Sequence, residues 1–259
     1  MSAPSAIAVI PARDEEGRVS TCLDSVLDAA RRALSEGALE RIVIALVAHR
    51  CADGTAAAAR GILEAEEGPV ESGRLAGIVV EDEDSETVGG ARATGIRAAR
   101  AELAALAGGP IDPDRAWLFS TDADSVVPAD WMTGHLERIA ALGPGAAGAR
   151  ALVELADWTP SPAARRAYEA IIAAGMRSDG GHDHVYGANL AVRLSALDRA
   201  GGMPDVPVGE DQALTDRLAE LGTPLAGTSG PIVHTSGRWP GRAAGGLGTL
   251  LGRLEEEAG

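Results

Sequence analysis

The sequence predicts an α/β fold with a mostly parallel central sheet flanked by helices. Three observations predict it. Short apolar runs alternate with amphipathic helical patterns through the first 120 residues, in the order β-α-β-α-β-α-β, and such alternation argues for a parallel sheet covered on both faces. Three of these runs lead into polar clusters, at 13–14, 49–53 and 122–124, and open sheets of this kind bind ligands beyond the carboxyl ends of their strands. Hydrophobic residues make up 46% of the 259 positions and aromatic ones only 3%, so a sizeable core is built from Ala, Val, Leu and Ile.

Residues 6–10 form an apolar run ending at Pro11, the first strand. The charged turn 13–17 follows. Val19, Cys22, Leu23, Val26, Leu27 and Ala30 recur at spacings of three and four, one face of an amphipathic helix. Residues 42–47 predict a buried strand, 55–66 a helix, 75–80 a third strand and 91–106 a long Ala-rich helix. Residues 117–120 predict a fourth strand, which runs into Thr121-Asp122-Ala123-Asp124. The second half is less regular. Helices are expected over 128–142, 160–174, 208–221 and 247–257, strands over 187–192 and 232–235, and a polar Gly-rich loop over 178–184. With no internal repeat and no clear linker, residues 1–259 read as one domain. Residues 1–125 would form a ligand-binding half, 126–235 a second half, and 236–259 a C-terminal loop and helix.

The formal net charge is −15, and every cationic side chain is Arg. An acidic surface repels phosphate backbones and anionic lipid, which excludes nucleic acid as an expected partner. The two cysteines, Cys22 and Cys51, make neither a disulfide framework nor a CxxC zinc pair. Cys22 lies on the apolar stripe and is expected to be buried. The first residues do not read as a signal peptide, no stretch is long enough to span a bilayer, and a cytoplasmic setting is expected.

The chemistry-bearing residues stand at element ends. Asp122 and Asp124 follow an apolar strand one residue apart, a spacing at which two carboxylates can share a divalent cation. Mg²⁺ or Mn²⁺ prefers oxygen donors and completes its shell with substrate phosphates. The plainer reading is a polar turn with a helix cap. Gly209-Glu210-Asp211 opens a predicted helix; Asp211 reads either as a first-turn carboxylate favoured by the macrodipole or as a general base. His234 reads as a packed residue or as a second metal ligand beside Asp124. Residues 236–242 carry Arg238 and Arg242, as a solvated connector or as a lid whose guanidinium groups clamp a diphosphate. His182 and His184 read as solvent-exposed loop residues rather than a second metal site.

Taken in order, these motifs resemble the GT-A glycosyltransferases, especially family 2, over roughly residues 6–236. Ala8-Val9-Ile10-Pro11-Ala12-Arg13-Asp14-Glu15-Glu16 is similar to that family's opening segment, and Cys51-Ala52-Asp53-Gly54-Thr55 to its second-strand loop. Val88-Gly89-Gly90-Ala91-Arg92-Ala93-Thr94-Gly95 resembles its Gly-rich segment, and Asp122-Ala123-Asp124 its metal motif. Tyr186 to Arg193, Gly201-Gly202-Met203 and Gly209-Glu210-Asp211 are similar to its acceptor-side series. His49-Arg50 and Thr94 depart from common choices in the family, and the Gln-x-x-Arg-Trp motif of processive synthases is absent.

The resemblance implies a GT-A, Rossmann-like fold. It implies a metal-dependent transfer of one sugar from a UDP- or GDP-type donor to a hydroxyl of a small-molecule, glycan or lipid-linked acceptor, inverting and non-processive. Pro11, Ala12, Arg13 and Glu15 would line the nucleoside pocket, Asp53 would face the base and Arg92 the diphosphate. Asp122 and Ala123 would lie at the donor, and Asp124 and His234 would hold Mn²⁺ or Mg²⁺. Tyr186, Gly187 and Asn189 would serve the acceptor, and Asp211, with Glu210 beside it, would be the base. A retaining transferase, a sugar-phosphate nucleotidyltransferase and a non-catalytic nucleotide-sugar binder remain the alternatives. The opening Pro-Ala-Arg-Asp-Glu-Glu argues against the nucleotidyltransferase, which normally begins with a Gly-rich loop and basic residues.

Overall fold

The computed structural model describes residues 3–65, 73–143, 145–241 and 245–258. Its first half contains β1 (Ser5–Ala12), α1 (Val19–Ser35), β2 (Ile42–His49), α2 (Thr55–Ala65), β3 (Leu75–Asp82), α3 (Val88–Ala107) and β4 (Ala116–Ser120). β1 pairs in parallel with β2 and β4, and β2 with β3. The expected alternation is present here, each strand reaching one or two residues further than its apolar core.

The second half adds β5 (Ser125–Val126), α4 (Trp131–Ala141), β6 (Gly148–Leu155), α5 (Pro162–Ala174), β7 (Leu190–Arg193), α6 (Leu194–Arg199), α7 (Glu210–Glu220), β8 (Ala226–Thr235) and α8 (Leu247–Ala258). All eight strands join one sheet in the order β3-β2-β1-β4-β7-β6-β8-β5. β7 runs antiparallel to both β4 and β6, while β6 and β8 are parallel. Residues 148–155 carry little strand signal, because Gly, Ala and Glu are depleted in strands and Val153 is the one β-branched residue among them.

Strand periodicity sorts the core into two layers. Ala6, Ala8, Ile10, Ile42, Ile44, Leu46 and Phe119 face α1, α2 and α4. Ile7, Val9, Val43, Ala45, Val47 and Leu118 face α3, α6 and α7. The stripe predicted for α1, Cys22 included, is buried. α3 lies very close to the sheet at Gly95, where an added Cβ would stand 2.5 Å from Val47 Cγ2 and 2.7 Å from Val9 Cγ1. α5 and α8 pack together at the periphery, where the Ser161 N–H donates to the Glu255 carboxylate at 3.0 Å.

Candidate active site

Because β1, β2 and β4 are parallel neighbours, their carboxyl ends deliver residues to one rim. A cleft of about 680 Å³ opens there. One side is formed by Pro11, Ala12, Arg13 and Glu15 after β1, His49 at the end of β2, and Asp122, Ala123 and Asp124 after β4. The other side is formed by residues 185–188 and 207–211. Beside Val88, which opens the Gly-rich motif, residues that the sequence did not mark also line it: Glu86 and Thr87 just before α3, and Gly245 to Gly248 with Leu250 at the start of α8. No motif announces these, because they are ordinary small, apolar or capping residues brought in by chain path. His49 Nε2 lies 2.8 Å from the Ser85 carbonyl, which sets it as the donor.

Arg92, one turn into α3, is the hub of the floor. It is 3% exposed, and its Nε donates to Ser120 Oγ at 3.1 Å. Its two other nitrogens form ion pairs with Glu210 and Asp122. Ser120 Oγ donates to the Gly187 carbonyl at 2.9 Å, and the Gly187 N–H donates to Asp211 Oδ2 at 2.7 Å. A side chain at 187 would meet Arg92, since a Cβ there would lie 2.8 Å from Nη2. Burial raises the Asp122 and Glu210 carboxyls above the ordinary range, and the Arg92 guanidinium opposes that rise. Arg92 therefore lines the cleft but spends its donors on protein groups. It fixes Asp122 and, through Ser120 and Gly187, Asp211. Glu210 is its buried counter-ion.

Asp124 faces the cleft with its side chain 20% exposed. Burial, then the Asp122 and Glu15 charges, push its carboxyl up to about 7 despite Arg238 nearby. Arg238 Nη2 reaches Glu15 Oε1 at 2.6 Å and Asp124 Oδ2 at 3.3 Å. Behind this motif the buried Cys22 thiol donates to the Asp122 carbonyl at 3.3 Å, and burial raises the thiol far above its usual range. Glu15, Asp122 and Asp124 supply the hard oxygen donors that Mg²⁺ and Mn²⁺ prefer, and a guanidinium already placed between Glu15 and Asp124 shows that this position favours positive charge. The donor set fits such a cation.

Several expected site residues stand elsewhere. His234 does not join Asp124. Thr235 lines the cleft and its strand neighbour His234 points to the opposite face, 53% exposed and 3.7 Å from Glu154. Asn189 is fully buried and structural. Its Oδ1 accepts from Trp131 Nε1 at 3.1 Å and from His135 Nε2 at 2.8 Å, and its Nδ2 donates to the Leu152 and Pro231 carbonyls, each at 2.8 Å. Asp53 turns away from the cleft and is exposed. It accepts from the Thr55 N–H at 3.0 Å and the Glu16 N–H at 3.1 Å. His182 is buried rather than solvent-exposed, its Nε2 donating to the Thr228 carbonyl at 3.1 Å, and His184 stacks between His182 and Tyr186. Tyr186 and Gly187 do line the cleft. Arg242 lies outside the described residues.

Asp14, Cys51 and Asp53 bring one polar atom each within 4.8 Å of the others. They brace the two loops instead: Asp14 Oδ1 accepts from the Ala52 N–H at 2.7 Å, and Cys51 Sγ donates to the Ala12 carbonyl at 3.3 Å.

The fold matches those of solved glycosyltransferases. A mannosyltransferase from Pyrobaculum calidifontis, in complex with GDP-Man and Mn²⁺, shares 18% identity at a TM-score of 0.63, over 92% of this chain and 59% of that one. TarS from S. aureus, residues 1–349 in complex with UDP-GlcNAc, shares 15% at 0.54, over 93% and 61%. Glucosyl-3-phosphoglycerate synthase from Mycobacterium tuberculosis, with Mn²⁺, UDP-Glc and phosphoglyceric acid, shares 18% at 0.51, over 97% and 80%. The chain thus spans about three-fifths of the first two structures. Among curated proteins, none matches the chain in sequence. No helix among the described residues is long and apolar enough to cross a membrane. The model of the family described as "Glycosyl transferase family 2" matches residues 7–200, well over half of the sequence, and the chain belongs to that family.

Proposed function

We propose that the protein transfers a single sugar from a nucleotide-diphosphate donor to a hydroxyl acceptor, with inversion. One observation carries this reading: a single cleft contains both the Asp122–Asp124 pair and Asp211, joined through Arg92. Pro11, Ala12, Arg13 and His49 would receive the nucleoside, at the strand ends where such sheets bind nucleotides. Asp124, flanked by Asp122 and Glu15, would hold Mn²⁺ or Mg²⁺. When bound, that ion would neutralise the diphosphate as it leaves. Asp211 would take the proton of the acceptor hydroxyl. The hydroxyl oxygen then bonds to the anomeric carbon from the side opposite the departing diphosphate, which leaves with the electron pair of its bond to the sugar. Tyr186 and Gly187 border the space on the Asp211 side, where an acceptor would enter.

Thermal unfolding with UDP-Glc, UDP-GlcNAc and GDP-Man, with and without Mn²⁺, tests the donor site. A donor at about a hundred times its dissociation constant raises the midpoint by on the order of 5–10 °C. The shift should require Mn²⁺ and vanish in Asp124→Ala. Asp211→Asn should keep the shift and lose about a hundredfold or more of donor turnover, the usual worth of a general base. No shift with any of the three donors would overturn the reading for them. A product that keeps the donor's anomeric configuration would remove Asp211 from its role.

A further inference from the structure

Of the guanidinium groups that line the cleft, those of Arg92 and Arg238 are mounted differently. Arg92 is buried in a helix and tied to three partners. Arg238 is carried on the chain between β8 and α8 and is 21% exposed. Its Nη1 and Nη2 grip both oxygens of Glu15, at 3.1 and 2.6 Å, and Nη2 reaches Asp124 Oδ2 at 3.3 Å. Its Nε is buried without a hydrogen-bond partner among the described residues. The mount itself is secured on both sides. Asp157 accepts from the Gly237 N–H at 2.6 Å and from Ser236 Oγ at 3.1 Å, and the Trp239 indole lies against Gly252 of α8. The arm can therefore exchange partners while its base stays in place.

We infer that Arg238 is an internal counter-cation that competes with the divalent ion for Asp124 and Glu15. This inference rests on the donor-site reading. A guanidinium and a divalent ion held by the same Asp124 oxygen would repel strongly at contact distance in a partly buried site. Entry of the ion displaces the arm. Its three N–H-bearing nitrogens, including the unpartnered Nε, then face the oxygens of a nucleoside diphosphate, whose negative charge matches both cations. Arg238 thus acts with opposite signs on two ligands: it weakens binding of the ion alone and strengthens binding of the nucleotide once the ion is present. A simple clamp would show only the second effect, and a connector neither.

Free Mn²⁺, followed by its electron paramagnetic resonance signal without nucleotide, is titrated into the wild-type protein, Arg238→Gln and Asp124→Ala. GDP and UDP are then titrated calorimetrically at saturating Mn²⁺. Arg238→Gln should bind Mn²⁺ about tenfold tighter, the scale of one charge-assisted hydrogen bond no longer displaced, and its preferred nucleotide about tenfold more weakly. Unchanged or weaker Mn²⁺ binding in Arg238→Gln, with Asp124→Ala still abolishing it, would overturn the inference and leave the donor site standing. No Mn²⁺ binding by either wild type or Arg238→Gln would overturn both. In the unmutated protein, Mg²⁺ alone should speed amide hydrogen exchange around residues 238–241, and GDP or UDP added with it should slow exchange again. Exchange indifferent to Mg²⁺ would count against displacement.

Discussion

Asn189 uses its full capacity, two bonds accepted and two donated, and so ties α4 to β7 and to the backbones of β6 and β8. Replacing it with Leu leaves Trp131 Nε1, His135 and two carbonyls unpaired in the interior. Asn189→Leu should lower unfolding stability by about 4 kcal/mol or more, read by urea denaturation. A loss below about 1 kcal/mol would show that the network is replaceable. Asp124 predicts a pH effect on the metal-free protein. Its carboxyl is raised from 3.8 to about 7, so between those values the folded state holds a proton that the unfolded state has released. The ionised group therefore costs stability that is absent below about pH 4, grows as pH rises, and is full above about 7. Asp124→Asn should unfold at a higher temperature than wild type at pH 8, and the gap should close towards pH 4. A gap that does not vary with pH would mean that the carboxyl titrates normally.

At the scale of elements, the approach of α3 to the sheet places Arg92. Gly95→Ala sets a methyl against Val47 and Val9 and should cost about 1–3 kcal/mol. Because α3 carries Arg92, the same change should weaken Mn²⁺-dependent donor binding in the folded protein, whereas an exposed α3 substitution such as Arg97→Ala should not. The elements that the sequence showed are those with a local pattern. β1 to β4 present unbroken apolar runs, and α1 repeats apolar residues at three and four. β6 does neither, since its Gly-Ala-Arg-Ala-Leu-Val-Glu-Leu suits helix and strand alike and is settled by pairing with β7 and β8. The same division holds in the site. Asp122 and Asp124 were legible as carboxylates that follow an apolar strand, and Asp211 as one that opens a helix. His234 was misplaced because adjacent strand residues face opposite ways, and which of His234 and Thr235 turns inward depends on the pairing of β8 with β5 and β6. Asn189 gathers side-chain partners from three distant stretches of chain, and no local pattern encodes that.

Across the whole molecule, the charge of −15 sets the conditions under which the cleft meets its ligands. A negative surface attracts divalent cations and repels nucleotide anions, so low ionic strength should favour the ion and disfavour the donor until the ion is in place. The Glu15–Arg238 contact joins positions 223 residues apart. In polymer terms it closes nearly the longest loop the chain can make. The entropy of that closure rises only logarithmically with length, but it must be met before the contact returns anything. Local hairpins and helices have no such delay, and contacts this distant form late in folding. The cleft should therefore be the last part of the molecule to assemble. In refolding experiments, recovery of nucleotide binding should lag behind recovery of helical circular dichroism.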